Sequence, residues 1–228
     1  MLEKLKEEVY KANLELVKRN LVILTWGNVS GRDDETGLVV IKPSGVSYDE
    51  MKPSNMVVVN LNGKVVEGNL NPSSDTLTHL EIYKKHPEIK GITHTHSFYA
   101  TAYAQSGKSL PCYGTTHADY FFDDVPITRV LTEQEVEEGY ELNTGKVINE
   151  VLKDGLACPA VLVNNHGPFT FGKSAMQSVE VAQVLEYVCG LAINMKIVNP
   201  HQGEVADHIK DKHYYRKHGP DAYYGQKK

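Results

Sequence analysis

Three histidines carry the sharpest chemical signal in this chain. His94-Thr95-His96 sets two imidazoles at i and i+2. The apolar pattern over 89–97 reads as a strand, where residues two apart share a face with Cα atoms roughly 6.5–7 Å apart. Both rings can then converge on one cation at bonds of about 2.0–2.1 Å. Alone, the pair serves equally as two histidines on a solvent face. His166 lies in Asn164-Asn165-His166-Gly167-Pro168, just after an apolar run, 160–164, that reads as a buried strand. A turn of Gly and Pro fixes the backbone there, and such loops often carry functional side chains. Three neutral imidazoles are a common set for catalytic zinc, with a position left for water or substrate, so His166 favours the ligand reading over a turn or capping role. Asp75 is a candidate fourth ligand or site carboxylate, although an Asp in a first helical turn also serves the helix dipole with no further role.

Three clusters of small polar residues beside Gly or Pro could hold an anion: Gly27-Asn28-Val29-Ser30, Lys42-Pro43-Ser44-Gly45 and Pro72-Ser73-Ser74. The last precedes a predicted helix, whose free N–H groups and dipole favour negative charge, and Lys42 could add a full positive charge. Each cluster alone also reads as a plain turn or cap. Beside a metal they describe a phosphorylated, oxygen-rich substrate. Thr115-Thr116-His117-Ala118-Asp119-Tyr120-Phe121 sets Asp119 among aromatics. Desolvation there would raise its pKa toward an acid/base range; the other reading is a surface loop with a satisfied Asp. The tail, about 208–228, holds six of the 24 Lys/Arg, three of the ten His and four of the 13 Tyr. It suits nucleic-acid binding, the covering of a neighbouring subunit's anionic substrate, or a solubilising end.

The elements that must position these groups are partly legible. Leu2, Leu5, Val9, Ala12 and Leu16 follow helical spacing over 2–19. Leu38–Ile41 reads as a strand, and Met56–Leu61 and Lys64–Val66 flank Asn62-Gly63, a hairpin signal. A serine at 73 or 74 is expected to cap a helix over 75–86. Helices are expected over 98–106, 132–153 (interrupted at Gly139), 174–198 and 205–217, and a strand over Ile127–Leu131. The hairpin and the interspersed helices predict a mainly antiparallel or mixed sheet covered by helices. No GxGxxG follows a strand and no GxxxxGK[ST] occurs, so nucleotide folds lose support.

Composition sets the outer bounds. The 228 residues suit one domain over 1–228. With 41% hydrophobic and 23% charged residues the chain reads as globular. A net charge of −5 offers no general nucleic-acid footprint. Cys112, Cys158 and Cys189 are scattered and odd in number, which excludes a disulfide framework and a CxxC zinc site. The charged start shows no signal peptide, and no uninterrupted apolar stretch of about 18 residues predicts a membrane span. A cytoplasmic location is the expectation.

Nearly end to end, the chain resembles the L-ribulose-5-phosphate 4-epimerase branch of the class II aldolase/adducin superfamily. The resemblance runs through residues 24–30, 41–46, 72–76, 94–97, 114–121, 165–169, 211–219 and 222–226. The HxH pair, the late histidine and the phosphate clusters mark the superfamily; the Thr-His-Ala-Asp-Tyr-Phe stretch and the Ala-Tyr-Tyr-Gly-Gln tail mark the epimerase branch. The resemblance implies a three-layer α/β fold with a central, mainly antiparallel sheet flanked by helices. It implies a zinc site, or one for another divalent metal, at His94, His96 and His166 with Asp75 as fourth ligand. Asn28, Ser44, Gly45, Ser73 and Ser74 would cradle substrate phosphate, with Gly27 and Lys42 beside them. Asp119 would be one acid/base and Tyr224, from an adjacent subunit, the other; His213 and Arg216 would support them on the same tail.

The implied assembly is a cyclic (C4) homotetramer with shared sites. The implied substrate is a ketopentose phosphate, with no nucleic acid or membrane partner, in carbohydrate metabolism of the L-arabinose or ascorbate kind. The implied reaction interconverts L-ribulose 5-phosphate and D-xylulose 5-phosphate by retro-aldol cleavage of C3–C4, fragment rotation and re-addition. A class II sugar-phosphate aldolase is the rival enzyme; Asp75 stands where such aldolases are expected to carry a glutamate base. An adducin-like interaction domain would keep the fold and lose the ligands.

Overall fold

The computed structural model describes residues 1–153 and 156–226; residues 227 and 228 of the predicted tail lie outside them. The chain order is α1 (Glu3–Lys18), β1 (Asn28–Arg32), β2 (Val39–Ile41), β3 (Val57–Val59), β4 (Val65–Glu67), α2 (Thr76–Lys85), β5 (Gly91–His94), α3 (Phe98–Gln105), α4 (Thr115–Ala118), α5 (Glu133–Val151), β6 (Ala160–Leu162), β7 (Pro168–Gly172), α6 (Ala175–Val198) and α7 (Asp207–His218). The strands form one sheet in the order β4-β3-β2-β1-β5-β7-β6, antiparallel at every pairing. Helices cover both faces in a three-layer α/β arrangement.

Period-two alternation along the strands explains the layers. Val39, Val57, Val59, Ile92, Val161, Phe169 and Phe171 pack with Leu80, Tyr83 and Ile148 of α2 and α5. The intervening Val29, Val40 and Val58 meet Val9, Ala12 and Leu16 of α1 and Val179 of α6. Ala160 and Leu162 face Ala100 and Ala104 of α3 and Leu185 and Val188 of α6. Helix α6 is long and apolar enough to cross a membrane by length and composition alone, yet it packs between the sheet, α1 and α3.

Several elements depart from the sequence reading. Strand β1, Asn-Val-Ser-Gly-Arg, holds one large apolar residue and so has no strand pattern, yet its first four residues are buried. Its polar side chains are used: the Ser30 hydroxyl lies 2.7 Å from His79 Nδ1 and 2.9 Å from the Tyr83 hydroxyl. Strand β7 begins on Pro168, where the sequence suggests only a turn. The predicted strand Ile127–Leu131 reduces to one parallel bridge, Ile127 to Leu162, because Arg129 turns outward to Glu135 and Glu150. The β3–β4 connection is a longer loop in which Asn60 Oδ1 accepts from the N–H groups of Asn62 and Lys64, with a bulge at Val58/Val59. The cap of α2 is Asp75 rather than a serine, and the Asp75 side chain makes no capping bond.

Candidate functional site

Strand β5 ends at His94, which lies opposite Asn28 of β1 on one side and Phe169 of β7 on the other. His96 therefore sits beyond the strand, which corrects the expectation that both histidines alternate within it. The rings still meet, with His96 Nε2 3.1 Å from His94 Nε2. His166 stands in the tight β6–β7 turn, where Asn165 takes φ 60°, the His166 N–H donates to the Val163 carbonyl and the Val163 N–H to the Gly167 carbonyl. Its Nε2 lies 3.2 Å from His96 Nε2. Gly167 makes this approach possible, since a Cβ there would sit 2.8 Å from the Thr95 carbonyl and 3.6 Å from His94 Cε1.

The three imidazoles form a cluster whose ligand atoms all lie within 4.8 Å of one another. Three nitrogens bound tetrahedrally at about 2.0–2.1 Å stand about 3.3–3.4 Å apart, so the 3.1 and 3.2 Å separations fit a single ion. The donor set fits as well. His94 Nδ1 lies 2.9 Å from the Pro168 carbonyl, which can only accept a hydrogen bond, so Nδ1 keeps its proton and Nε2 is left bare. Burial, reinforced by His94 and His96, pushes His166 down to about 3, and burial followed by His94 lowers His96. Both stay neutral, as ligands must. Phe169, fully buried, stacks on His94 at 4.2 Å and 16°, fixing the ring from below.

A cavity of about 580 Å³ opens over this cluster. Every residue of the three predicted anion clusters assigned to substrate lines it: Gly27, Asn28, Lys42, Ser44, Gly45, Ser73 and Ser74, together with Asp75 and the three histidines. The Asp75 carboxylate is outside the ring-nitrogen cluster and accepts from Asn28 Nδ2 at 2.6 Å. Burial pushes this carboxyl up, but the neighbouring His94 and His79 and the Asn28 bond outweigh it and leave it below the usual range. Asn28 Oδ1 is buried with no partner among the described residues, an acceptor left free for a bound group. The Lys42 ammonium donates to the carbonyls of Thr25, Pro43 and Val46 and lies over the Tyr48 ring face at 4.9 Å. No carboxylate pairs with it among the described residues, and burial lowers its pKa. A buried cation paired only with carbonyl oxygens, between two small-residue loops, gives the cavity a positive electrostatic character.

Asp119, His213, Arg216 and Tyr224 do not line this cavity. They gather in a second cluster. Asp119 accepts from Arg216 and lies 3.2 Å from His213 Nδ1 and 3.3 Å from Lys217 Nζ. The Tyr224 ring covers Arg216 and Lys217, with centroid distances of 5.3 and 4.4 Å. The expectation of a raised Asp119 pKa is corrected here. Burial does push it up, but the Arg216 bonds and Lys217 prevail and the net shift is downward. His117, buried two residues before it, lies 2.9 Å from the Asp123 carbonyl.

Tyr140 and Glu141 also line the cavity and carry no signal in the sequence beyond the glycine before them. Burial, then Asp75 and Glu141, raise the Tyr140 pKa, so the phenol keeps its proton.

Comparison with known proteins agrees with this architecture. Among solved structures, an L-fuculose 1-phosphate aldolase shares 28% identity over 93% of this chain and 95% of its own, with a TM-score of 0.79. L-fuculose 1-phosphate aldolase from Glaciozyma antarctica PI12 shares 20% identity over 96% of this chain and 84% of its own, also at 0.79. A sugar-phosphate aldolase from Thermotoga maritima shares 20% over 86% and 96%, at 0.69. The family model for the class II aldolase and adducin N-terminal domain matches residues 7–193, and the chain belongs to that family.

Proposed function

We propose that the protein is a divalent-metal-dependent epimerase that interconverts L-ribulose 5-phosphate and D-xylulose 5-phosphate. The observation that carries this reading is one cavity in which three converging imidazole nitrogens face loops built around a buried lysine that pairs with no carboxylate among the described residues. His94, His96 and His166 would hold the ion, zinc being the best match to three imidazoles, with the Asp75 carboxylate beside them. Bound there, a divalent cation supplies Lewis-acid stabilisation of negative charge developing on substrate oxygens.

The C4 hydrogen of the substrate is not α to the ketone, so direct proton abstraction there is too costly. Breaking C3–C4 is feasible instead. A base takes the C4 hydroxyl proton, the C3–C4 electron pair moves toward the C2 carbonyl, and an aldehyde fragment bearing the phosphate is released within the cavity. Lys42, Ser44, Ser73 and the backbone at Gly45 hold that phosphate, which keeps the fragment from diffusing away while it turns. Re-addition on the other aldehyde face inverts C4. Asn28, whose amide oxygen has no partner among the described residues and whose nitrogen donates to Asp75, would orient a substrate hydroxyl.

Asp119 and Tyr224 are the proposed acid/base pair. Because they cluster together away from their own chain's cavity, the reading has them delivered by a neighbouring subunit in a cyclic homotetramer. Support comes from the two segments that mark the epimerase branch, 115–121 and 222–226, which meet around Arg216. Purified protein incubated with L-ribulose 5-phosphate and Zn²⁺ should form D-xylulose 5-phosphate. Accumulation of free dihydroxyacetone and glycolaldehyde phosphate would instead identify an aldolase, and no turnover would overturn both.

A further inference from the structure

Helix α5 breaks at Gly139, where φ 154° and ψ 91° leave the helical region. That backbone conformation strains any residue with a side chain. The next residue, Tyr140, places its hydroxyl 3.2 Å from His166 Nδ1. The chain just after the break is held by two bonds: Thr144 Oγ1 donates to the Tyr140 carbonyl at 2.7 Å, and Thr78 Oγ1 of α2 donates to the Glu141 carbonyl at 2.7 Å. His166 needs outside help because its turn projects into the cavity. His94 has the Pro168 carbonyl to fix its ring, whereas His166 Nδ1 has the Tyr140 hydroxyl.

We propose that Tyr140 is the positioning residue for His166. A neutral imidazole carries one ring proton, and which nitrogen holds it is set by the hydrogen bond made at the other position. If the Tyr140 oxygen accepts from Nδ1–H, the Nε2 lone pair is left free to face His96 and His94. The Gly139 break delivers the phenol, because a continuous helix would carry residue 140 elsewhere. This inference rests on the metal reading above and assigns a role to two residues outside the ligand set.

The test compares wild type with Tyr140→Phe, which keeps the ring and removes the oxygen. Zn²⁺ affinity is read by competition with a chromophoric chelator, and the His166 tautomer by ¹⁵N NMR on metal-free protein. The expected result is about 10–100-fold weaker Zn²⁺ binding, with the His166 proton moving from Nδ1 toward Nε2 and no change in the melting temperature. Gly139→Ala, confirmed folded by circular dichroism, should weaken binding in the same direction. Wild type that binds Zn²⁺ while Tyr140→Phe matches it in affinity and tautomer would overturn this inference alone. Wild type that binds no divalent ion would overturn the metal reading and this inference together.

Discussion

Arg216 Nη2 donates to both carboxylate oxygens of Asp119, at 2.9 Å each. Charge-assisted bonds of this kind are strong and directional. They tie two segments far apart in the chain, α7 and the end of α4, into one unit, and they hold Asp119 ionised through the neutral range. An ionised carboxylate is a base rather than an acid. On the proposed reaction Asp119→Asn should lower turnover by about 10²–10⁴-fold while bound metal remains unchanged. Coupled assay and metal analysis of the same preparation check both halves; near-normal turnover would remove Asp119 from the chemistry.

The same arrangement changes what subunit mixing should show. Asp119 and Tyr224 travel together on one chain, so mixing Asp119→Asn with Tyr224→Phe should restore nothing. Mixing His94→Ala with Tyr224→Phe should restore activity, because an intact cavity from one chain can meet an intact tail from the other. For random assembly of equal amounts with head-to-tail contacts, recovery should approach about a quarter of the wild-type rate. Absence of recovery after subunit exchange has been verified would count against shared sites.

On the proposed metal site, His94 is the histidine whose loss should be least tolerated. It is buried, stacked on Phe169 and bonded to the Pro168 carbonyl, so His94→Ala removes a proposed ligand and opens a hole beneath the other two imidazoles. Elemental analysis after dialysis should find the metal well below one per chain, with turnover lost in parallel. Full metal content together with full activity would refute the three-histidine site.

How far the sequence reveals all this depends on where each signal comes from. Val39–Ile41 and Val57–Val59 are legible because both their faces are buried, which forces apolar runs. Strand β1 is illegible because its inward positions are occupied by Asn28 and Ser30, kept polar by bonds to Asp75 and to His79 and Tyr83. The site itself reads well, since His94, His166, Lys42 and Ser44 lie in short motifs. Tyr140 does not, for it reaches His166 only because α5 breaks, and nothing at Gly139 says which way the chain turns after it. Asp119 shows the limit for charge: its aromatic neighbours in sequence suggest a raised pKa, while the deciding partners come from α7.

Lys42 offers a test of the anion reading separate from the metal. Its ammonium is buried among carbonyls with no paired carboxylate among the described residues. Lys42→Met keeps the length and drops the charge. KM for the phosphorylated substrate should rise by about 10–100-fold, the value of a lost charge-assisted bond, and inhibition by inorganic phosphate should weaken in step. An unchanged phosphate inhibition constant would move the phosphate site elsewhere in the cavity.

His79 supplies the pH prediction. It is fully buried, its Nδ1 2.7 Å from the Ser30 hydroxyl and its Nε2 without a partner among the described residues. Burial pushes its pKa down to about 3 from the ordinary 6.5, with Asp75 opposing and His94 adding to the fall. The folded state therefore resists a proton that the unfolded chain accepts. Between about pH 6.5 and 3 the unfolded state binds more protons, so stability is intact above that window and falls as the pH drops through it. The slope from this one group approaches about 1.4 kcal/mol per pH unit. His79→Gln, which can still bond Ser30 and carries no titrating group, should remove that slope. Urea unfolding of both proteins at pH 7.5, 6 and 5 should show wild type more stable at the top of the range and the gap closing as the medium is acidified. A gap that stays constant with pH would mean that His79 is not the buried neutral group described by its contacts.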